Sequence, residues 1–202
     1  MTDQSSMPDD AVQLANAFFA LARAFDMPKR WQPGFCEVLR ESFVTFGGEL
    51  KHIASAIVDD AGDVEALERA YARLFLGPFS VVAPPWASYY LEPQRQLLGE
   101  VSEYAAQAYV EAGLVPGTDR IDVPDHVAHE LEFMYFLAFQ EASTGESIWR
   151  ERQTAFWGEH LGQWLARFAR SVRDGAGDSE FYRRLGDLTA TFSHVVEARL
   201  RQ

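Results

Sequence analysis

Apolar residues recur at steps of three and four along nearly the whole chain, and no segment sustains the period-two alternation of a strand. That periodicity limits the chain to helices that bury one stripe each against other helices. From Asp9 to Phe25 the stripe is Ala11, Leu14, Ala15, Phe18, Ala22 and Phe25, behind an acidic cap at Asp9 and Asp10. Pro33 opens a second helix with Phe35, Leu39, Phe43 and Phe46, and Gly47 with Gly48 ends or bends it. A short third segment runs from about Glu49 to Val58. Asp63 caps a fourth, Val64 to Leu76, closed by Gly77 and Pro78. Pro93 suits the first turn of a long helix through Leu97, Leu98, Val101, Tyr104 and Ala108 toward Gly113, and Pro124 starts another with Val127, Leu131, Met134 and Leu137. Ile148 to Val172 and Asp178 to Leu200 complete the set, with Trp149, Trp157 and Trp164 read as core. The expectation is an all-α fold: one domain over residues 1–202, a bundle of about seven or eight helices, with residues 1–8 flexible.

Composition narrows the function. Hydrophobic residues make up 48% of the 202 and charged residues 24%, enough to bury a core without staples. Cys36 is the only cysteine, so an intrachain disulfide and a thiolate-rich metal site are excluded and a reducing compartment is expected. The start, MTDQSSMPDD, has neither the basic nor the apolar part of a secretory signal, and no apolar run approaches the roughly 18 to 20 residues of a membrane helix. Cytoplasmic localisation without membrane insertion is the expectation. A net charge of −12 opposes nucleic acid and anionic lipid, and favours a basic partner.

Two strings stand out. LFLGPFSVVAPPWASYYLE, Leu74 to Glu92, places three prolines, a tryptophan and several aromatics where a solvated loop is normally polar. Pro78, Pro84 and Pro85 fix φ and hold the backbone extended, a stiff mount for Trp86. Phe75, Trp86 and Tyr90 either plug gaps at the bundle end or form the wall of an apolar peptide groove. The second string, VPDHVAHELEFM from Val123, brings His126, His129 and Glu130 to one helical face. It matches neither His-Glu-x-x-His nor its inverse, and no second Glu-x-x-His supports a di-iron bundle, so no bound metal is expected. Capping by Asp122 or Asp125 is the plain structural reading. No phosphate loop or nucleophile elbow is present, and His52, His160 and His194 are single histidines on helices.

Taken together, Tyr71-x-x-Leu74-Phe75-x-Gly77-Pro78, Ala83-Pro84-Pro85-Trp86-x-Ser88-x-Tyr90, and Pro124-Asp125-His126 leading into Glu130-Leu131-Glu132-Phe133-Met134 resemble the TorD/DmsD/NarJ family of redox-enzyme maturation chaperones. The pattern departs from the family at Tyr89 and Val123. The resemblance implies a cytoplasmic, non-catalytic chaperone without cofactor, monomeric or homodimeric. Such a chaperone binds the twin-arginine signal peptide and the apoprotein of a molybdenum-containing oxidoreductase, delaying export until the molybdopterin cofactor is inserted. It also implies that the peptide is bound by Leu74, Phe75, Pro85, Trp86, Ser88, Asp125 and His126, to which the aromatic reading adds Tyr90. The alternatives are a helical metal-dependent hydrolase using His126, His129 and Glu130, and a structural adaptor subunit docking through its aromatic loop.

Overall fold

The computed structural model describes residues 7–77, 80–93, 98–114 and 123–201, the side chains of residues 7–9 and 60 aside. Among them every regular element is a helix, and the only β-type pairing is an isolated antiparallel bridge between Trp86 and His126. The helices are α1 (Met7–Ala24), α2 (Phe35–Val44), α3 (Gly48–Asp60), α4 (Val64–Tyr71), α5 (Ala87–Leu91), α6 (Glu100–Glu111), α7 (Val127–Thr144), α8 (Ser147–Phe156), α9 (Gly162–Gly175) and α10 (Glu180–Leu200), with a 3-10 turn at Pro28–Arg30. The all-α bundle expected from the periodicity is the fold found.

The core forms where the stripes meet: α1 lies along α7, α9 along α10, and α3 against both α2 and α10. Phe18, Phe43 and Phe192 interlock edge to face at its centre, with ring centroids 5.1 and 5.3 Å apart from Phe192, and none of the three is solvent-exposed. Trp157 and Trp164 are buried and Trp149 packs against the same core.

Several expected boundaries move. Met7 and Pro8 already lie in α1, which puts Asp9 and Asp10 inside its first turn; the rest of the eight residues expected to be flexible lie outside the described residues. α2 starts at Phe35 behind Gly34 in the left-handed region, not at Pro33. The long helix starts at Glu100 rather than Pro93, because Glu92 turns back and its carboxylate accepts from the Val101 N–H (3.2 Å), fixing the helix start there. Leu97, Pro78 and the middle of the second loop, residues 115–122, lie outside the described residues. Asp63 does cap α4, accepting from the Glu65 N–H at 3.3 Å.

Two π-helical turns shape the molecule in ways the periodicity does not reveal. Ala72–Leu76 continues α4 with one residue too many per turn, and the Leu74 carbonyl accepts instead from the Ala83 N–H (2.9 Å), folding the proline loop back onto the helix. Gly77 (φ 26°) makes that return possible, since a Cβ there would collide with the Ser80 carbonyl. Trp157–Leu161 interrupts the expected single helix Ile148–Val172, joining α8 to α9. At the α9–α10 crossing Gly186 admits close approach: a Cβ would lie 2.7 Å from the Ala169 carbonyl oxygen and 2.8 Å from the Arg173 nitrogen, both backbone. Gly186→Ala is therefore expected to destabilise the fold by about 1–3 kcal/mol, read as a lower urea midpoint at unchanged slope.

Candidate functional site

The proline loop and the start of α7 meet as two helix N-termini set back to back. Trp86 is the N-cap of α5 and His126 the N-cap of α7, both with extended backbone. They pair as the antiparallel bridge, closed by the Ala87 N–H donating to the Asp125 carbonyl (2.9 Å) and the Val127 N–H to the Pro85 carbonyl (2.8 Å). Residues opposite each other in such a pair project to the same side. Their rings accordingly lie 6.3 Å apart, edge to face, both half-buried, and the His129 ring lies 5.5 Å beyond His126.

Asp125 fixes this junction from inside. Its carboxylate is fully buried and accepts from the Ser88 N–H (2.8 Å) and the Ser102 hydroxyl (2.6 Å). Ser88 is in the first turn of α5, whose own N-cap, Trp86, offers no side-chain acceptor, so Asp125 caps that helix from 37 residues away. The expectation that Asp125 or Asp122 caps α7 is thus corrected: Asp122 lies outside the described residues, and the cap of α7 is His126 itself. Its Nδ1 accepts from the Ala128 N–H at 3.2 Å, which requires that nitrogen unprotonated. Val123 and Pro124 are held by donation from His129 Nδ1 (3.2 Å) and the Tyr109 hydroxyl (2.8 Å) to their carbonyls.

The other residues named from the sequence divide by burial. Leu74 and Phe75 are interior, Phe75 packing on Tyr71 (4.9 Å), Tyr182 (5.7 Å) and Phe25 (6.1 Å). Pro85 and Ser88 are buried too. The structure therefore brings Trp86, His126, Asp125, Ser88 and Pro85 together at one junction. It sets Leu74 and Phe75 in the core instead of on an open groove wall. Tyr90 belongs to a neighbouring stack, 5.4 Å from the Trp164 ring with the Arg167 guanidinium 5.6 Å from its own, and burial pushes its hydroxyl up to about 12.

A second buried carboxylate lies one turn into α7. Glu130 accepts from the Trp164 indole N–H (2.9 Å) and pairs with His160 Nε2 (2.7 Å). Desolvation pushes its pKa up to about 7 against the lowering pull of those partners. The π turn at Trp157–Leu161 carries His160, which stacks on Tyr104 at 5.1 Å. In the sequence His160 is a lone histidine; its partnership with Glu130, 30 residues away, leaves no local pattern. Glu130 is thus buried between His160 and Trp164, whereas the metal-hydrolase alternative needs it open beside His126 and His129. Among the described residues no three His, Cys, Asp or Glu side chains are grouped to hold a metal. A cleft of about 530 Å³ lined by Asp63, Arg69, Arg73 and Ser179 includes no residue of the Trp86–His126 junction.

Comparison with known proteins gives the class that this fold and junction define. A sequence model of the nitrate reductase delta subunit family matches residues 44–170, more than half of the chain and including both strings. The chain belongs to that family, the TorD/DmsD/NarJ group of redox-enzyme maturation proteins. Among its relatives, the Tat proofreading chaperones DmsD of Salmonella paratyphi A and Salmonella typhi are each 32% identical over 124 residues. That match covers 61% of this chain and 57% of either relative, so it spans less than two thirds of their length. In fold the chain resembles a crystal structure of a redox enzyme maturation protein from Archaeoglobus fulgidus, with a TM-score of 0.53, 23% identity and 94% of each chain covered.

Removing the Asp125 carboxylate strands two buried donors. Asp125→Ala should cost about 2–4 kcal/mol, seen in urea unfolding. Asp125→Asn should cost less, because its amide oxygen still accepts from Ser88 while the Ser102 hydroxyl turns to accept. Glu130 titrates higher folded than unfolded, so its protonated form supports the fold below about pH 4.5, and that support is lost as pH rises through about 7. Wild-type stability should therefore fall between pH 5 and 7.5 relative to Glu130→Gln, measured as paired urea midpoints across that range.

Proposed function

We propose that the chain is a maturation chaperone that binds the twin-arginine signal peptide and apoprotein of a molybdenum-containing oxidoreductase, delaying export until the cofactor is inserted. The observation that carries this reading is the paired presentation of Trp86 and His126 on two helix starts locked by a buried carboxylate. An aromatic surface held by its backbone loses little freedom when a peptide docks, so more of the contact energy appears as affinity. The net charge of −12 favours a basic peptide and speeds its encounter. The likeness to Tat proofreading chaperones supports the same reading.

In this reading Asp125 is a positioning residue and does not touch the arginines, since its carboxylate is fully buried against Ser88 and Ser102. Leu74, Phe75 and Pro85 back the loop. The chain catalyses nothing, holds no cofactor, acts in the cytoplasm as monomer or homodimer, and lets go when client folding buries the held segment.

The test is titration of a fluorescent twin-arginine leader peptide. The wild-type chain should bind with a Kd of about 1 μM or tighter, with affinity falling as salt rises. Trp86→Ala should weaken binding about tenfold or more while leaving the unfolding midpoint unchanged. Unaltered binding by Trp86→Ala would place the site elsewhere.

A further inference from the structure

A second surface lies further along α7. Arg23 with Glu132 and Phe19 with Tyr135 show that α1 and α7 run antiparallel. Their shared outer side carries Phe19, 37% exposed, and Phe139, 51% exposed, joined through Tyr135 by centroid distances of 5.3 and 6.0 Å. Val12, 47% exposed, lies two turns before Phe19 on the same face. Neither helix interposes a charge: α1 from Ala11 to Ala22 and α7 from Phe133 to Gln140 contain no Asp, Glu, Lys or Arg. In a chain with 24% charged residues, two adjacent helices whose solvent sides lack charge over these stretches are shaped for covering by something apolar.

The end of the stripe nearest Trp86 and His126 is polar. There Arg23 lies 5.4 Å from the Phe19 ring and pairs with both Asp26 (3.0 Å) and Glu132. Among these three groups two carboxylates face one guanidinium, a net negative set. Along α7 it lies six residues, about 9 Å, past His126, and Phe139 follows about 10 Å later.

We infer that this α1–α7 stripe receives the apolar stretch of the leader peptide, its basic residues held at the Asp26–Glu132 end. The inference rests on the leader-binding reading above and extends it to a surface on the same helix. A signal peptide places a basic segment before an apolar region of about 7–15 residues, which spans about 10–22 Å if helical. The stripe offers the same order, negative end then uncharged aromatic face, over a matching length. A second copy of this chain fits less well, since pairing would bring two chains of charge −12 and two net-negative ends together.

The test compares wild type, Phe139→Ser, Phe19→Ser and Trp86→Ala for binding of the full leader and of a leader peptide cut before its apolar region. Both phenylalanines are exposed, so the serine variants should keep the wild-type unfolding midpoint. The expected result is that each serine variant binds the full leader about tenfold more weakly and the cut peptide as wild type does. Equal binding of the full leader by wild type and both serine variants overturns the inference and leaves the Trp86 reading standing. A wild-type chain that binds no leader overturns both. A dimer in sedimentation that Phe139→Ser splits, with leader affinity unchanged, overturns it in favour of self-association.

Discussion

The carboxylate of Asp125, without solvent exposure, accepts from a backbone N–H of one helix start and a hydroxyl of another helix. Those two hydrogen bonds tie the proline loop, α6 and the first turn of α7 into one body. Burying a charge is costly unless its hydrogen bonds are made, so the carboxylate holds its donors in place. Trp86 and His126 inherit that order: their backbones flank the Asp125 contacts and their rings stand together at the surface. Rigidity at the surface thus derives from a polar group in the interior.

The same arrangement recurs one turn along α7, where Glu130 joins His160 and Trp164. The hydroxyl of Tyr109 is pushed well above its ordinary range, first by burial and then by Glu130 and Asp125. One acid just before α7 and one within it therefore link that helix to α5, α6, the π turn and α9. Outward from this supported helix lie the paired rings at its start and the uncharged aromatic side that continues past Glu132. In the proposed reading, α7 with the end of α1 offers contacts for a basic segment and then for an apolar one.

Much of the fold was legible because apolar spacing survives as burial: Leu14, Phe18, Leu39, Phe43, Leu131 and Leu188 are all core. The junction was legible only in part. Its strings locate Trp86, Asp125 and His126, but no local pattern shows that Asp125 caps a helix 37 residues away, or that the five residues Ala87–Leu91 of the proline loop form that helix. Helix spacing also misplaces the turns at Leu74 and His160, since a π turn shifts register by a single residue within an unbroken apolar stripe. The aromatic outer face of α1 and α7 was present in the sequence as two runs without charge. Each resembles an ordinary core stripe until the structure shows which positions face water.

The central claim is that Asp125 makes the loop and the start of α7 open as one unit. Native-state hydrogen exchange of the Ala87, Ser88 and Val127 amides tests it directly, since all three donate across or beside the junction. The account predicts that they exchange slowly, with a common opening free energy, and that Asp125→Ala lowers protection at all three together. Rapid exchange of Ala87 and Ser88 beside a protected Val127, unchanged in the variant, would contradict it.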